Sequence, residues 1–292
     1  MNIVFYTSGR TGTGRLIRGL CVATALKRKG IDCTFTIISG SPFSHLAGTV
    51  GVRHVEIPLE DGTRLSRENF HRSALFSTLC SLEPHIILVD LNWFALHHMI
   101  RELPGKKIFL SRQVADRFFT LAAKDETLAF NPAQYDRIFA IEPFASAVPM
   151  ERLNPFILRN HDEIFTREEA MEKLGLNAGD RHCLISHNGE PGEFRQLQKD
   201  FSYLKDAGYV PAYSTSYDDG IFPIVDYFNA FDLIVCGGGY HAFWEAVYFE
   251  KEFIPIPMPR LHENQHQRIE LCKDYHFTEN GADELADIIM AL

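Results

Sequence analysis

The chain has 292 residues, 46% hydrophobic and 23% charged, which excludes a disordered chain and leaves enough apolar side chains for two cores. Twenty-nine Lys and Arg against 38 Asp and Glu give a formal charge of −9, which excludes the basic surface of a nucleic-acid binder but not a local phosphate site. The six cysteines form no CxxC pair and read as reduced core residues of a cytoplasmic protein. The apolar start is too short for a signal peptide, and no apolar run reaches the roughly 20 residues of a membrane span.

Taken in chain order, residues 2–7 (NIVFYT) predict a buried strand and 8–15 (SGRTGTGR) a glycine-rich turn. Residues 15–30 predict a helix, with Leu16, Leu20, Ala23 and Leu26 on one face and Gly30 as its stop. Further strands are expected at 33–38, 54–58, 85–91, 106–110 and 137–142, with a helix over 67–83. Residues 143–155 carry three prolines and no period, and read as an interdomain linker. The alternation then restarts. Helices are expected over 166–176, 191–208, 241–249, 263–275 and 282–292, and strands over 182–187, 210–215, 232–236 and 253–258. Apolar strands alternating with amphipathic helices predict parallel sheets covered on both faces. The expected fold is therefore α/β: two Rossmann-like, doubly wound lobes, residues 1–150 and 156–292, facing across a cleft.

Three turns offer phosphate-binding chemistry, because glycine lets a backbone approach an anion and a helix N-terminus presents unpaired N–H groups. The first holds Gly9, Gly12 and Gly14, spaced G-x-x-G-x-G, which is neither a dinucleotide fingerprint nor a P-loop. The second is 186–191 (SHNGEP), with His187, Asn188 and Gly189 as donor contacts. The third and most informative is Gly237-Gly238-Gly239 after a buried strand, followed by Tyr240 and His241 at a helix mouth. Glu245 lies about a turn and a half into that helix, placed to receive two ribose hydroxyls. A polar stretch over 262–267 follows the strand FIPIPM and is rich in hydrogen-bonding groups suited to sugar hydroxyls.

The segment GGGYHAFWEA…FIPIPMPRLHENQHQ resembles the donor-binding signature of GT-B glycosyltransferases, nearest the lipid-II-forming N-acetylglucosaminyltransferase and related predicted glycosyltransferases. The resemblance implies that Glu245 binds the nucleotide ribose and that Gln265 reaches the donor sugar, with His266 where a second glutamine is common. GRTGTGRLIRGLCVATALKRKG resembles the family's G-x-T-G-x-G-H loop and first helix. These two segments cover about a fifth of the chain. The sequence departs from the family at Gly237, where histidine is frequent, at Ala242, where Thr or Ser is usual, and at Arg15, where many relatives have histidine.

An inverting transferase needs a base for the acceptor hydroxyl and cationic or dipolar groups for the departing diphosphate. Asp90, at the carboxyl end of 85–91, is the candidate base, with a helix-capping carboxylate as the competing reading. Arg112 is a candidate anion contact, and Arg10 and Arg15 are candidates for the diphosphate. His97 and His98 read as packing histidines. The expected function is transfer of a sugar from a nucleoside-diphosphate sugar, UDP-linked, to a small-molecule, glycan or lipid-linked acceptor. No cofactor, metal or nucleic acid is required, and the basic clusters at 27–30 and 101–107 leave a peripheral membrane contact open. A nucleotide-sugar hydrolase or 2-epimerase, and a subunit that binds without turnover, are the alternatives.

Overall fold

The computed structural model describes residues 1–9, 12–123, 126–217 and 220–292. The N-terminal half comprises β1 (Asn2–Thr7), α1 (Gly14–Arg28), β2 (Thr34–Ser39), α2 (His45–Thr49), β3 (Arg53–Glu56) and α3 (Ala74–Ser81). It continues with β4 (Ile86–Asp90), α4 (Trp93–Leu96), β5 (Lys106–Ser111), the pair β6 (Thr120–Ala122) and β7 (Thr127–Ala129), then β8 (Arg137–Ala140) and β9 (Glu151–Arg152). The C-terminal half comprises α5 (Arg167–Leu174), β10 (Arg181–Ser186), α6 (Pro191–Asp200), β11 (Tyr209–Ser214) and β12 (Leu233–Gly237). It closes with α7 (Tyr240–Tyr248), β13 (Phe253–Ile256), α8 (Gln265–Cys272) and α9 (Gly281–Met290).

Among the described residues, seven strands form one sheet in the order β3-β2-β1-β4-β5-β8-β9 and four form another in the order β11-β10-β12-β13. All pairs in both sheets are parallel. The physical cause is legible in β4 and β12, whose residues are buried throughout because helices cover both faces. Parallel strands carry ligands at their carboxyl ends, so the ends of β1, β4, β5, β10 and β12 fix where a site can lie.

Three expectations change. The helix expected over 67–83 begins only at Ala74, because the Ser73 hydroxyl accepts the Phe76 N–H at 3.0 Å and caps it there. The antiparallel pair β6–β7 has strands too short to show a period. The aperiodic segment read as a linker contributes β9 to the N-terminal sheet, and its continuation buries Leu153, Phe156, Ile157 and Leu158 in a core that runs from β1 and α1 to α7 and α9. Residues 143–152 are exposed or half-buried, and burial begins at Leu153.

The C-terminal helix α9 returns to the N-terminal lobe and packs on α1. Arg28 pairs with Glu163 at 2.8 Å and with Asp283, and Lys29 pairs with Asp287 at 2.7 Å. Two of the basic side chains of cluster 27–30 are therefore committed to the other half of the chain. No helix among the described residues is long and apolar enough to cross a membrane.

Candidate donor and transfer site

The cleft between the sheets holds a cavity of about 420 Å³. The N-terminal lobe contributes Thr13, Gly14, Arg15, Ile17 and Arg18 from the start of α1, and Arg112 just beyond β5. The C-terminal lobe contributes Ser186 to Gly189 after β10, residues 221–225, Gly237, Gly239 to Ala242, Glu245, and Arg260 to Glu263 with Gln265. Helix α7 begins in this cavity, so the positive end of its dipole and its unpaired first-turn N–H groups meet any ligand there.

The lobes touch across the cleft at the glycine loop. Gly12 has φ +69° and lies so close to the second lobe that a Cβ there would stand 3.0 Å from the Asn188 carbonyl oxygen. The His241 Nε2–H donates to the Gly14 carbonyl at 2.9 Å, carrying the start of α7 against the start of α1. Burial, with the Arg18 guanidinium, holds His241 neutral down to about 3, and its Nδ1 is buried without a partner among the described residues.

Among the described residues, carboxylates near the cavity are paired, with one exception. Glu263 pairs with Arg112 at 2.9 Å and with Arg268; against the effect of burial these cations bring it down to about 2. Glu142 takes both the Arg268 Nε–H at 2.7 Å and the Nη2–H at 2.8 Å, and also the Trp244 indole N–H at 2.8 Å. Glu193 pairs with Arg260 and accepts the His187 Nε2–H at 2.7 Å; against burial, these bonds bring it down to about 2. The exception is Glu245. It is 7% exposed, lines the cavity and has no hydrogen bond among the described residues. Burial pushes its carboxyl up to about 8, with Asp226 adding to the shift. A buried carboxyl facing the cavity with no partner among the described residues calls for a ligand with hydroxyl donors.

Arg15 is the complementary exception. Among the described residues its guanidinium hydrogen-bonds the Ser8 hydroxyl alone, and burial lowers it to about 10 while leaving it cationic at neutral pH. The cavity thus has an uncommitted acid at one place, an uncommitted cation at another, and a helix N-terminus.

No protein-family pattern and no curated protein matches this sequence. Solved structures match by shape. SsfS6, a glycosyltransferase of Streptomyces sp. SF2575 complexed with thymidine diphosphate, aligns with a TM-score of 0.60 at 12% identity, over 100% of this chain and 96% of that one. The glycosyltransferase VinC in complex with DTDP aligns at 0.56 and 13% identity, over 99% of this chain and 90% of that one. MurG of Acinetobacter baumannii aligns at 0.52 and 13% identity, over 99% and 90%.

This chain has the GT-B glycosyltransferase fold.

Against the GT-B frame, the expected site residues separate into three groups. The structure brings Gly14, Arg15, Arg112, His187, Asn188, Gly189, Gly237, Gly239, Tyr240, His241, Glu245 and Gln265 to one cavity, Tyr240 with its hydroxyl turned away. Others are engaged elsewhere. Asp90 does not line the cavity: it is fully buried, and its two oxygens accept Arg18 Nε–H at 2.8 Å and Nη2–H at 2.9 Å, with the Thr7 hydroxyl at 2.6 Å. Burial alone would raise this carboxyl, but Arg18 overrides it and holds Asp90 below its ordinary value, so it is the wrong group for a base. The Gly238 N–H is used by the Ile256 carbonyl at 2.7 Å and is closed to a phosphate. The Tyr240 hydroxyl donates to the Ile141 carbonyl and accepts the Phe156 N–H, both at 2.8 Å, which makes it a pin between lobes. His266 is exposed and points into a neighbouring groove. Gln265 lends its side-chain oxygen to the Met258 N–H at 2.8 Å, leaving its amide nitrogen for a ligand. Arg10 lies outside the described residues.

Sequence reading missed Arg18, Glu142, Glu193, Arg260 and Arg268. Only Glu193 had a local signal, as the third residue of a capping box with Glu190. The others are charges in apolar or loop segments whose partners lie far along the chain, and spacing carries no trace of such pairs. Among the described residues no three His, Cys, Asp or Glu side chains come together as a metal site.

Proposed function

We propose that this protein is a glycosyltransferase that takes a sugar from a nucleoside-diphosphate sugar bound chiefly by the C-terminal lobe. The observation that carries the reading is Glu245, a buried carboxyl with no hydrogen-bond partner among the described residues, about a turn and a half into α7. A ribose supplies two cis hydroxyl donors to a carboxylate, and a diphosphate suits the helix mouth at Gly239 and the Arg15 guanidinium. Apolar walls from residues 221–225, Leu184 and Ile234 suit the flat face of a base. Gln265 and the 260–263 segment then stand toward the sugar. Charge stabilisation of the departing diphosphate by Arg15 and α7 makes a divalent metal unnecessary.

Uridine and thymidine diphosphate sugars are the donors to compare, since SsfS6 and VinC were solved with thymidine diphosphate. The acceptor enters from the N-terminal lobe, and the protein works in the cytoplasm. The test is thermal stability with UDP, dTDP, GDP, CMP and NAD, with Glu245→Ala alongside. A hundredfold excess of ligand over its dissociation constant raises stability by about 2.7 kcal/mol. A shift with one nucleoside diphosphate that Glu245→Ala abolishes supports the site. The absence of any shift, or one that Glu245→Ala leaves intact, overturns it. Release of free diphosphate from the sugar nucleotide without acceptor would replace transfer by hydrolysis.

A further inference from the structure

His187 is clamped. Its ring lies between two glycines on different elements, Gly189 after β10 and Gly237 at the end of β12, and a Cβ on either would collide with a ring nitrogen. The imidazole occupies the volume that a side chain at 237 would take, at the point where β12 turns into α7. The clamp continues behind the ring. Nε2–H donates to Glu193 at 2.7 Å, and Glu193 in turn is held by two nitrogens of Arg260, at 2.6 and 2.7 Å, and by the Glu190 N–H at 3.0 Å. A carboxylate can only accept, so Nε2 carries the hydrogen and Nδ1 is left with a lone pair. Nδ1 has no hydrogen-bond partner among the described residues, while His187 as a whole is 8% exposed and lines the cavity.

The groups that face this ring decide what it can become. Glu193 and Glu190 at the start of α6 favour the imidazolium; Arg260, from the segment after β13, opposes it; Gly237 on β12 carries no charge. Burial wins, and His187 is held below the usual histidine range. A lone pair turned toward the mouth of α7 would repel a phosphate oxygen, whereas an N–H there would hold one. We propose that His187 takes up a proton from solvent when a diphosphate binds, and that its Nδ1–H is then donated to a diphosphate oxygen, with Glu193 as the positioning residue behind it. The imidazolium lies between two anions, Glu193 and the diphosphate, and supplies locally the positive charge that a metal ion would otherwise bring. This rests on the donor-site reading above and adds to it the residue and the proton.

The experiment is calorimetric binding of UDP-glucose and dTDP-glucose, whose diphosphates do not titrate near neutrality, in two buffers of different ionisation heat at about pH 7.5. Wild-type protein should take up about one proton more per donor bound than His187→Gln, and Glu193→Gln should show a reduced uptake. The His187→Gln protein should bind the donor about ten- to hundredfold more weakly, the range expected for one hydrogen bond to a charged group. Uridine, which lacks the diphosphate, should show no His187-dependent uptake. Equal proton counts in wild type and His187→Gln, with binding preserved, would overturn this proposal and leave the donor site standing. If neither donor binds the wild type, the donor-site reading falls and this proposal with it. Should His187→Gln fail to fold, nitrogen-15 spectra of the wild-type imidazole decide: Nδ1 must gain a hydrogen on adding UDP-glucose, and an unchanged Nδ1 overturns the proposal.

Discussion

Arg18 and Asp90 meet as a two-pronged ion pair at 2.8 and 2.9 Å, 2% and 0% exposed, joining the first helix to the carboxyl end of β4. Arg18 lines the cavity with Arg15 and Gly14, and Asp90 lies behind it, holding that wall. Removing the acid strands a buried guanidinium, so Asp90→Asn should cost about 3–5 kcal/mol of stability, read by urea unfolding. Because Arg18 depresses Asp90 in the folded state, the contribution is full above the unfolded carboxyl pKa and is lost as pH falls through the lower folded value. A loss of less than about 1 kcal/mol would mean the pair is solvated in solution.

Glu245 has the opposite sign. Its folded carboxyl stands at about 8, above that of an unfolded glutamate. Between those values the folded state keeps a proton that the unfolded state has released, so stability should fall as pH rises from about 4.5 to 8 and flatten beyond. Glu245→Gln should remove that slope and stabilise the ligand-free protein at about pH 8.5 by a few kcal/mol. Parallel urea melts of both proteins at acidic and alkaline pH check it, and identical slopes would refute the assignment.

Gly237 tolerates no side chain, because its Cβ would meet the His187 ring. Gly237→Ala should push the imidazole off Glu193 and destabilise by about 1–3 kcal/mol, as overpacking does. It should also weaken donor binding, and a crystal structure of the variant would show the His187–Glu193 bond broken.

Helix α9 belongs by sequence to the second lobe and by packing to both. Leu285 is fully buried in the core shared with α1. Leu285→Ala should cost about 2–5 kcal/mol. Calorimetry should show one melting transition for the wild type, since α9 and residues 153–158 couple the lobes. Two resolved transitions would show that the lobes melt independently.

The sequence by itself determined a good deal. Buried strands such as 86–90 and 233–237 announced themselves as continuous apolar runs, because a parallel sheet covered on both faces leaves no polar alternation. Glycine turns after the strands 2–7, 182–187 and 232–236 told where a ligand could approach, since backbone freedom is a local property. Glu245 stood out because its spacing from Gly239 is fixed by helix geometry. The tertiary structure decided the rest. Whether Asp90 is a base or a buried ion partner depends on Arg18, 72 residues away. Whether the His187 ring fits beside the cavity depends on the missing side chain at Gly237, 50 positions on along the chain. Whether the end of the proline-rich stretch, from Leu153 on, is a tether or a core segment depends on α9 covering it. Charge state, burial and pairing are set by neighbours in space, and a linear pattern records only neighbours along the chain.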